Sequence, residues 1–344
     1  MSFLSRRGIG IDLGTANTLV YMKGKGVVIE EPTVVAMNRY TNQVEAVGTK
    51  AKEMIGKAPE SIKIIKPLKD GVIADFDSAS AIIRYLINEV NRQSFYIFKP
   101  SLIVCVPSGI TTVEEKAIVE AAKQGGAKQV YIMTESLAAA IGAGLPVWDS
   151  SGSLIVDIGG GTTEAAIVSL GGTVLTKSIK AAGDKMDQQI IQYIRQEYRV
   201  MIGETTAEKL KIQLASAKKT QENDRMEVFG RDLITGLPKI IYLKNEELVI
   251  AIESTVNAII DLIINILENA PPELASDIIE KGIVLTGGGA KLKFLDKVIF
   301  EKTTLPVHMT ENPLTTAVVG TGKALDYIEH FKKTPNITKK NYIH

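Results

Sequence analysis

The chain has 344 residues, 45% hydrophobic and 23% charged, which reads as a water-soluble globular protein with room for two domains. A formal net charge of +1 leaves no global field to draw nucleic acid, so no nucleic-acid partner is expected. The single cysteine, Cys105, excludes an intramolecular disulfide framework and a cysteine-based zinc site, and fits a reducing cytosol.

The N-terminal MSFLSRRGIG lacks the apolar run of a signal peptide. Next, IGIDLGTANTLVYMKGKGVVIEEP predicts a buried strand, an aspartate, a small-residue loop, a second strand, a glycine turn and a third strand. SFYIF (94–98) puts three aromatics and an isoleucine between a helix and the strand SLIVCVP (101–107). Thr112 and Glu115 have the spacing of a capping box for a helix through Ala122. QVYIM (129–133) is a strand, and after Glu135 the small residues of SLAAAIGAG (136–144) suit a closely packed short helix.

LIVDIGGGTTEAAIVSLGGTVLTKS then repeats the first pattern, with Asp157, Gly159 and Thr163 in the places of Asp12, Gly14 and Thr18. Repetition on the scale of half a chain suggests duplicated domains. Residues 185–220 read as helices broken near IGETT. AIIDLIINIL (258–267), interrupted by Asp261, reads as a core helix and not a membrane span. GIVLTGGGA (282–290) is a strand entering a third glycine loop, followed by the helix KLKFLDKVIF. The alternation of strands and helices argues an α/β fold.

In Walker-type and Rossmann sites the glycine loop opens a helix. Here Thr162-Thr163 leads into a strand and a glycine turn, and neither GxxxxGK[ST] nor GxGxxG is present. Two β-hairpin phosphate loops therefore suggest a nucleotide clamped between two similar domains. Two acids, Asp12 and Asp157, beside a polyphosphate would repel it without a cation, so the repeat favours Mg²⁺ held largely through water over simple turn acceptors. Glu135, between a strand end and a helix start, is placed either to orient the water that attacks a γ-phosphate or to favour the helix N-terminus. Thr162 has the same two uses, holding water or bonding within its hairpin. Glu208 and Lys211, three apart on one helical face, read first as a solvated ion pair.

Together these segments resemble the superfamily of actin, heat-shock chaperone and sugar-kinase ATPases, and within it the MreB family of bacterial actins. DLGTANTLVY, KPLKDGVIADF (66–76), AAAIGAGLP (138–146), DIGGGTTE, GDKMDQQIIQYI (183–194), TAEKLK (206–211), LTGGGAKL and PLTTAVVGTGKAL (313–325) run in that family's order over residues 8–328. The resemblance implies an actin-like ATPase fold: two duplicated RNase H-like domains around a nucleotide cleft. Its four subdomains would be IA (1–32 and 66–146), IB (33–65), IIA (147–181 and 246–328) and IIB (182–245), with a basic tail over 329–344.

On that pattern Gly14, Thr15, Ala16 and Asn17 meet the phosphates of ATP or ADP, with Gly159, Gly160 and Gly161 opposite. Glu208, Lys209, Leu210 and Lys211 meet the ribose and base side, and Gly287, Gly288, Gly289 and Ala290 border the adenosine. Glu135 and Thr162 match the positions that hold the hydrolytic water, and Asp157 and Asp12 face the metal. The family writes EEPMAAAIG where this chain has TESLAAAIG, so Thr134 and Ser136 replace an acid and a proline. The water-positioning residues remain, and hydrolysis is expected to remain with them.

The family's filaments lie on the inner face of the cell membrane. By the same resemblance Phe95, Tyr96, Ile97 and Phe98 form a loop that dips into lipid, helped by Phe3, Leu4, Arg6 and Arg7. The tail lysines Lys332, Lys333, Lys339 and Lys340 either add electrostatic attraction or are plainly solvated. The implied partners are the chain itself in paired protofilaments, the membrane, and wall-elongation or other cytoskeletal proteins. A chaperone-type ATPase or a small-molecule kinase of the same superfamily is the alternative.

Overall fold

The computed structural model describes residues 8–93, 100–220, 224–328 and 337–339. Its framework starts from strand alternation. In β1 (Gly8–Leu13), Ile9, Ile11 and Leu13 point into one core while Gly8, Gly10 and Asp12 take the other face. Glycine turns return the chain as β2 (Asn17–Met22) and β3 (Gly26–Pro32), antiparallel to their neighbours. β4 (Ser101–Val106) and β5 (Gln129–Thr134) then extend the sheet in parallel from β1.

The second half repeats this plan. β6 (Ser153–Ile158), β7 (Thr163–Ser169) and β8 (Gly172–Ile179) form an antiparallel meander, and β9 (Ile283–Thr286) and β10 (Val307–Met309) extend it in parallel from β6. The orders are β3-β2-β1-β4-β5 and β8-β7-β6-β9-β10, so the duplication read in the sequence is a duplication of topology. Register agrees: Asp12 is opposite Leu19 as Asp157 is opposite Glu164.

Parallel neighbours need crossovers, which helices supply. α1 (Phe76–Gln93) and α2 (Thr112–Gln124) pack on the first sheet. α3 (Glu135–Gly142) leaves β5 and lies on β6 and β7 of the other half. α4 (Gly183–Tyr198), α5 (Glu204–Gln213) and α6 (Asn245–Glu268) belong to the second core. α7 (Thr316–Ala324) crosses back onto β1 and β2, in close contact with α3. A third apolar cluster, including Ile103, Met133, Leu137, Ile155, Ala166 and Val168, lies between the halves.

Small residues let α3 and α7 meet backbone to backbone. A Cβ on Gly142 would overlap the carbonyl of Thr316, and one on Gly320 that of Ala138. Two smaller sheets fall in the inserted spans. Val35–Asn38 pairs with Val44–Val47 and Ile62–Ile65 within 33–65, and Val200–Met201, Arg225–Asp232 and Pro238–Lys244 pair within 182–245.

Two expectations are corrected. The capping box of α2 is Thr111 with Glu114, one residue before the predicted frame. Glu114 is held there by a second bond, accepting from the Ile73 N–H at 3.1 Å. Within the tail, Ile337–Lys339 (β11) pairs antiparallel with Tyr131–Met133 at the edge of the first sheet. Glu208 and Lys211 do not pair with each other, as the site shows below. The apolar run 258–267 sits in α6, which is long and apolar enough to cross a membrane by length and composition. Its Ile259, Ile260, Ile263 and Ile266 are buried in the second core, as read.

Candidate functional site

Between the halves lies a cleft of about 390 Å³. The β1–β2 turn contributes Gly14, Thr15, Ala16 and Asn17; the β6–β7 turn contributes Gly159, Gly160, Gly161 and Thr162. Gly287, Gly288 and Gly289, after β9, form a third wall. The two hairpin loops meet so closely that a Cβ on Gly160 would lie 2.6 Å from that of Ala16. One on Gly161 would lie 2.7 Å from the Thr15 hydroxyl. Glycine is needed there for approach, which leaves backbone amides as the lining chemistry.

Each loop is held from behind. The Gly159 N–H donates to the Thr162 carbonyl at 2.9 Å, closing the second turn. The equivalent threonines are structural: Thr18 shares a 2.8 Å bond with Thr33, and Thr163 donates to the Ala181 carbonyl at 2.6 Å. Against the second loop sits a two-residue turn, Asp70-Gly71, with φ of 53° and 74°. A Cβ on Gly71 would lie 2.7 Å from Thr162 Cγ2. An Asp-Gly pair between short strands is a hairpin signal, so KDGV in the sequence carried that information.

Asp12, Glu135 and Asp157 line the same cleft. Burial pushes the Asp12 carboxyl up to about 7, opposed by a hydrogen bond from Cys105. Burial, then the charges of Asp12 and Glu164, push Asp157 up to about 8. Glu135 is raised well above the ordinary carboxyl range by burial first and then by Asp12, Glu164 and Asp157. Such a set binds protons or a cation. Two facing carboxylates do not make an all-protein metal cage, and no group of three or more metal-ligating side chains occurs among the described residues. They fit a hard cation that keeps most of its waters and shares phosphate oxygens, as Mg²⁺ does.

On the far wall, Glu208 and Lys211 line the cleft on one face of α5. Lys211 Nζ donates to Asp187 Oδ2 at 2.8 Å and to the Gly183 carbonyl at 3.1 Å. Glu208 accepts from Lys52 across the cleft at 2.9 Å, and Lys66 pairs with Glu204 at 2.7 Å. Of the predicted residues, Lys209, Leu210 and Ala290 do not line the cleft. Lys209 is exposed and Leu210 is packed in the second core, because residues between i and i+3 on a helix turn to other faces; Ala290 is packed in the same core. Phe95, Tyr96, Ile97 and Phe98 lie outside the described residues.

Sequence reasoning missed several lining groups, among them Leu19, Asp184, Met186, Ile212, Pro313 and Leu314. Asp184 and Met186 fall in GDKMD and Pro313-Leu314 in PLTTAVVG, both segments already noted for their resemblance. Leu314 borders the third glycine loop, its Cδ2 3.1 Å from where a Cβ on Gly288 would lie.

Duplicated sheets clamping one cleft, with hairpin amides and acids at its floor, define a protein of the actin-like ATPase fold. The MreB/Mbl protein family profile matches residues 6–333, and the chain belongs to that family. It is 46% identical to the cell shape-determining protein Mbl of Bacillus cereus, over 95% of this chain and 98% of that one. Identity to the cell shape-determining protein MreB of Escherichia coli is 47%, over 93% and 94%. The crystal structure of MreB5 of Spiroplasma citri bound to ADP superposes with a TM-score of 0.90 at 39% identity, covering 96% of this chain and 99% of that one. The AMPPNP-bound form of that protein gives 0.89 at 40%, over 95% and 98%.

Proposed function

We propose that the chain binds and hydrolyses ATP with Mg²⁺ in this cleft and polymerises into filaments on the inner face of the cell membrane that govern cell shape. The observation that carries the reading is the meeting of two equivalent hairpin loops, Gly160 against Ala16, with Asp12, Asp157 and Glu135 in one cleft. Solved MreB5 of Spiroplasma citri holds ADP or AMPPNP in a chain of the same fold, which supports the nucleotide. The curated relatives' role in cell shape supports the cytoskeletal part. The four-subdomain division belongs to the same reading, supported by the small sheet that each inserted span carries.

In this reading the amides of 14–17 and 159–161 hold the phosphate oxygens, and Asp12 and Asp157 hold the water shell of the cation. Bound Mg²⁺ supplies charge neutralisation on the phosphates. Glu135 and Thr162 hold a water in line with the γ-phosphorus. A carboxylate raised by burial has the proton affinity to take a proton from that water as its oxygen bonds phosphorus and the bond to the β-phosphate oxygen breaks. Glu208 and Lys211, the latter held by Asp187, meet the ribose side.

ATP-dependent pelleting, with protofilaments in electron micrographs, tests the assembly and separates it from the chaperone and kinase alternatives. Single-turnover phosphate release tests the chemistry: a Glu135→Ala chain releasing phosphate at the wild-type rate would remove Glu135 from the mechanism. Liposome co-sedimentation of a Phe95/Tyr96/Phe98 triple-alanine chain tests the membrane loop, and undiminished binding would exclude it.

A further inference from the structure

The duplication has a chemical mismatch on the face between the halves. Leu19 in β2 and Glu164 in β7 occupy equivalent positions, opposite Asp12 and Asp157 respectively. An apolar residue therefore serves this strand position in one half, and the strand itself does not require an acid. Glu164 is 2% exposed and shares its side of β7 with Ala166 and Val168 of the apolar cluster between the halves. Placing it opposite Asp157 sets two carboxylates against each other on neighbouring strands, an unfavourable pairing. A buried carboxylate in such a place must be satisfied by donors.

The donors come from the other half. Glu164 Oε2 accepts from the Ser108 N–H at 2.9 Å, and Oε1 accepts from the Ser108 hydroxyl at 2.8 Å and the Ser136 N–H at 3.2 Å. Ser108 lies in the turn after β4. Ser136 is the second residue of α3, next to Glu135, where the helix leaves its amides without intrahelical acceptors. Glu164 itself is two residues after Thr162. One side chain thus joins the segment bearing Glu135 to the hairpin bearing Thr162 without lining the cleft. The Ser136 amide is available because residue 136 is not proline, which has no N–H to give.

We infer that Glu164 is a positioning residue: its bonds to Ser108 and Ser136 fix Glu135 of the first half relative to Thr162 of the second, so that both address one water. The inference rests on the hydrolysis reading above. Glu164→Gln keeps the volume but sets an amide NH₂ against one of the donors. Ser136→Pro deletes one donor at a helix position where proline is tolerated. Three readouts are compared with wild type: nucleotide Kd, single-turnover phosphate release, and hydrogen exchange of the 135–142 amides.

Glu164→Gln should release phosphate about tenfold or more slowly with Kd within about twofold, since sub-ångström misplacement acts on the chemical step. Ser136→Pro should fall between Glu164→Gln and wild type, and Glu164→Gln should speed exchange at Ser136. Wild-type release rates in both variants, or loss confined to Kd, would overturn the inference while leaving hydrolysis intact. Absence of phosphate release from the wild-type chain would sink the hydrolysis reading instead. Exchange at Ser136 would then decide the latch alone, and an unchanged rate in Glu164→Gln would refute it.

Discussion

Two ion pairs span the cleft. Lys52, at the end of the short helix Thr49–Lys52, reaches Glu208 of α5, and Lys66 reaches Glu204 of the same helix. Their side chains are partly exposed, 38% and 36% in the first pair and 45% and 62% in the second, so neither pair is worth a buried bridge. At about 0.5 kcal/mol each, the two favour the closed cleft by about 1 kcal/mol, a factor of about five in population. Changing Lys52 and Lys66 together to methionine keeps the aliphatic stems and removes both charges. Release of a fluorescent ADP analogue, followed by stopped flow at low salt, should quicken about fivefold. The same double variant should differ little from wild type near 1 M salt, where the screening length falls to about 3 Å. Unaltered release at low salt, or a difference that persists at high salt, would refute this role for the two ion pairs.

Other perturbations test the frame around the site. Gly320→Ala should lower stability by about 1–3 kcal/mol, read from the denaturant midpoint, because its methyl would overlap the Ala138 carbonyl; an unchanged midpoint would contradict the contact. Ser136→Ala should be neutral or stabilise by about 1 kcal/mol, since the buried Ser136 hydroxyl has no hydrogen-bond partner among the described residues, and a clear loss of stability would reveal one. Asp12 and Asp157 stand at about 7 and about 8 when folded, against 3.8 as the ordinary value. Their carboxyls hold more protons folded than unfolded, so this contribution is present at acid pH and is lost as pH rises through the folded values. The Tm of the nucleotide-free chain should therefore fall between pH 6 and about 9. Saturating magnesium nucleotide should flatten that slope, and equal slopes would argue against a cation between the two acids.

Much of this was legible in the residues. Asp12 and Asp157, each followed by small residues and a new strand, revealed both the duplication and the hairpin character of the loops. Contacts that depend on remote partners were not. Glu208 and Lys211 look like a helical pair, yet each turns to a group far away in the chain, Lys52 and Asp187. Thr111 and Thr112 offer the same box spacing, and the structure takes Thr111 with Glu114, whose carboxylate also accepts from the remote Ile73 amide. Glu164 stood in view within DIGGGTTE. Its importance appears only when Ser108 and Ser136 come from 56 and 28 residues away.

The crossing of α3 and α7 sets how the halves can move. With Gly142 facing the Thr316 carbonyl and Gly320 facing the Ala138 carbonyl, sliding along this contact would drive main chain into main chain, whereas turning about it would not. A rocking of one half on the other would therefore turn about this crossing as about a fulcrum, and would carry with it the small sheets inserted at 33–65 and 182–245.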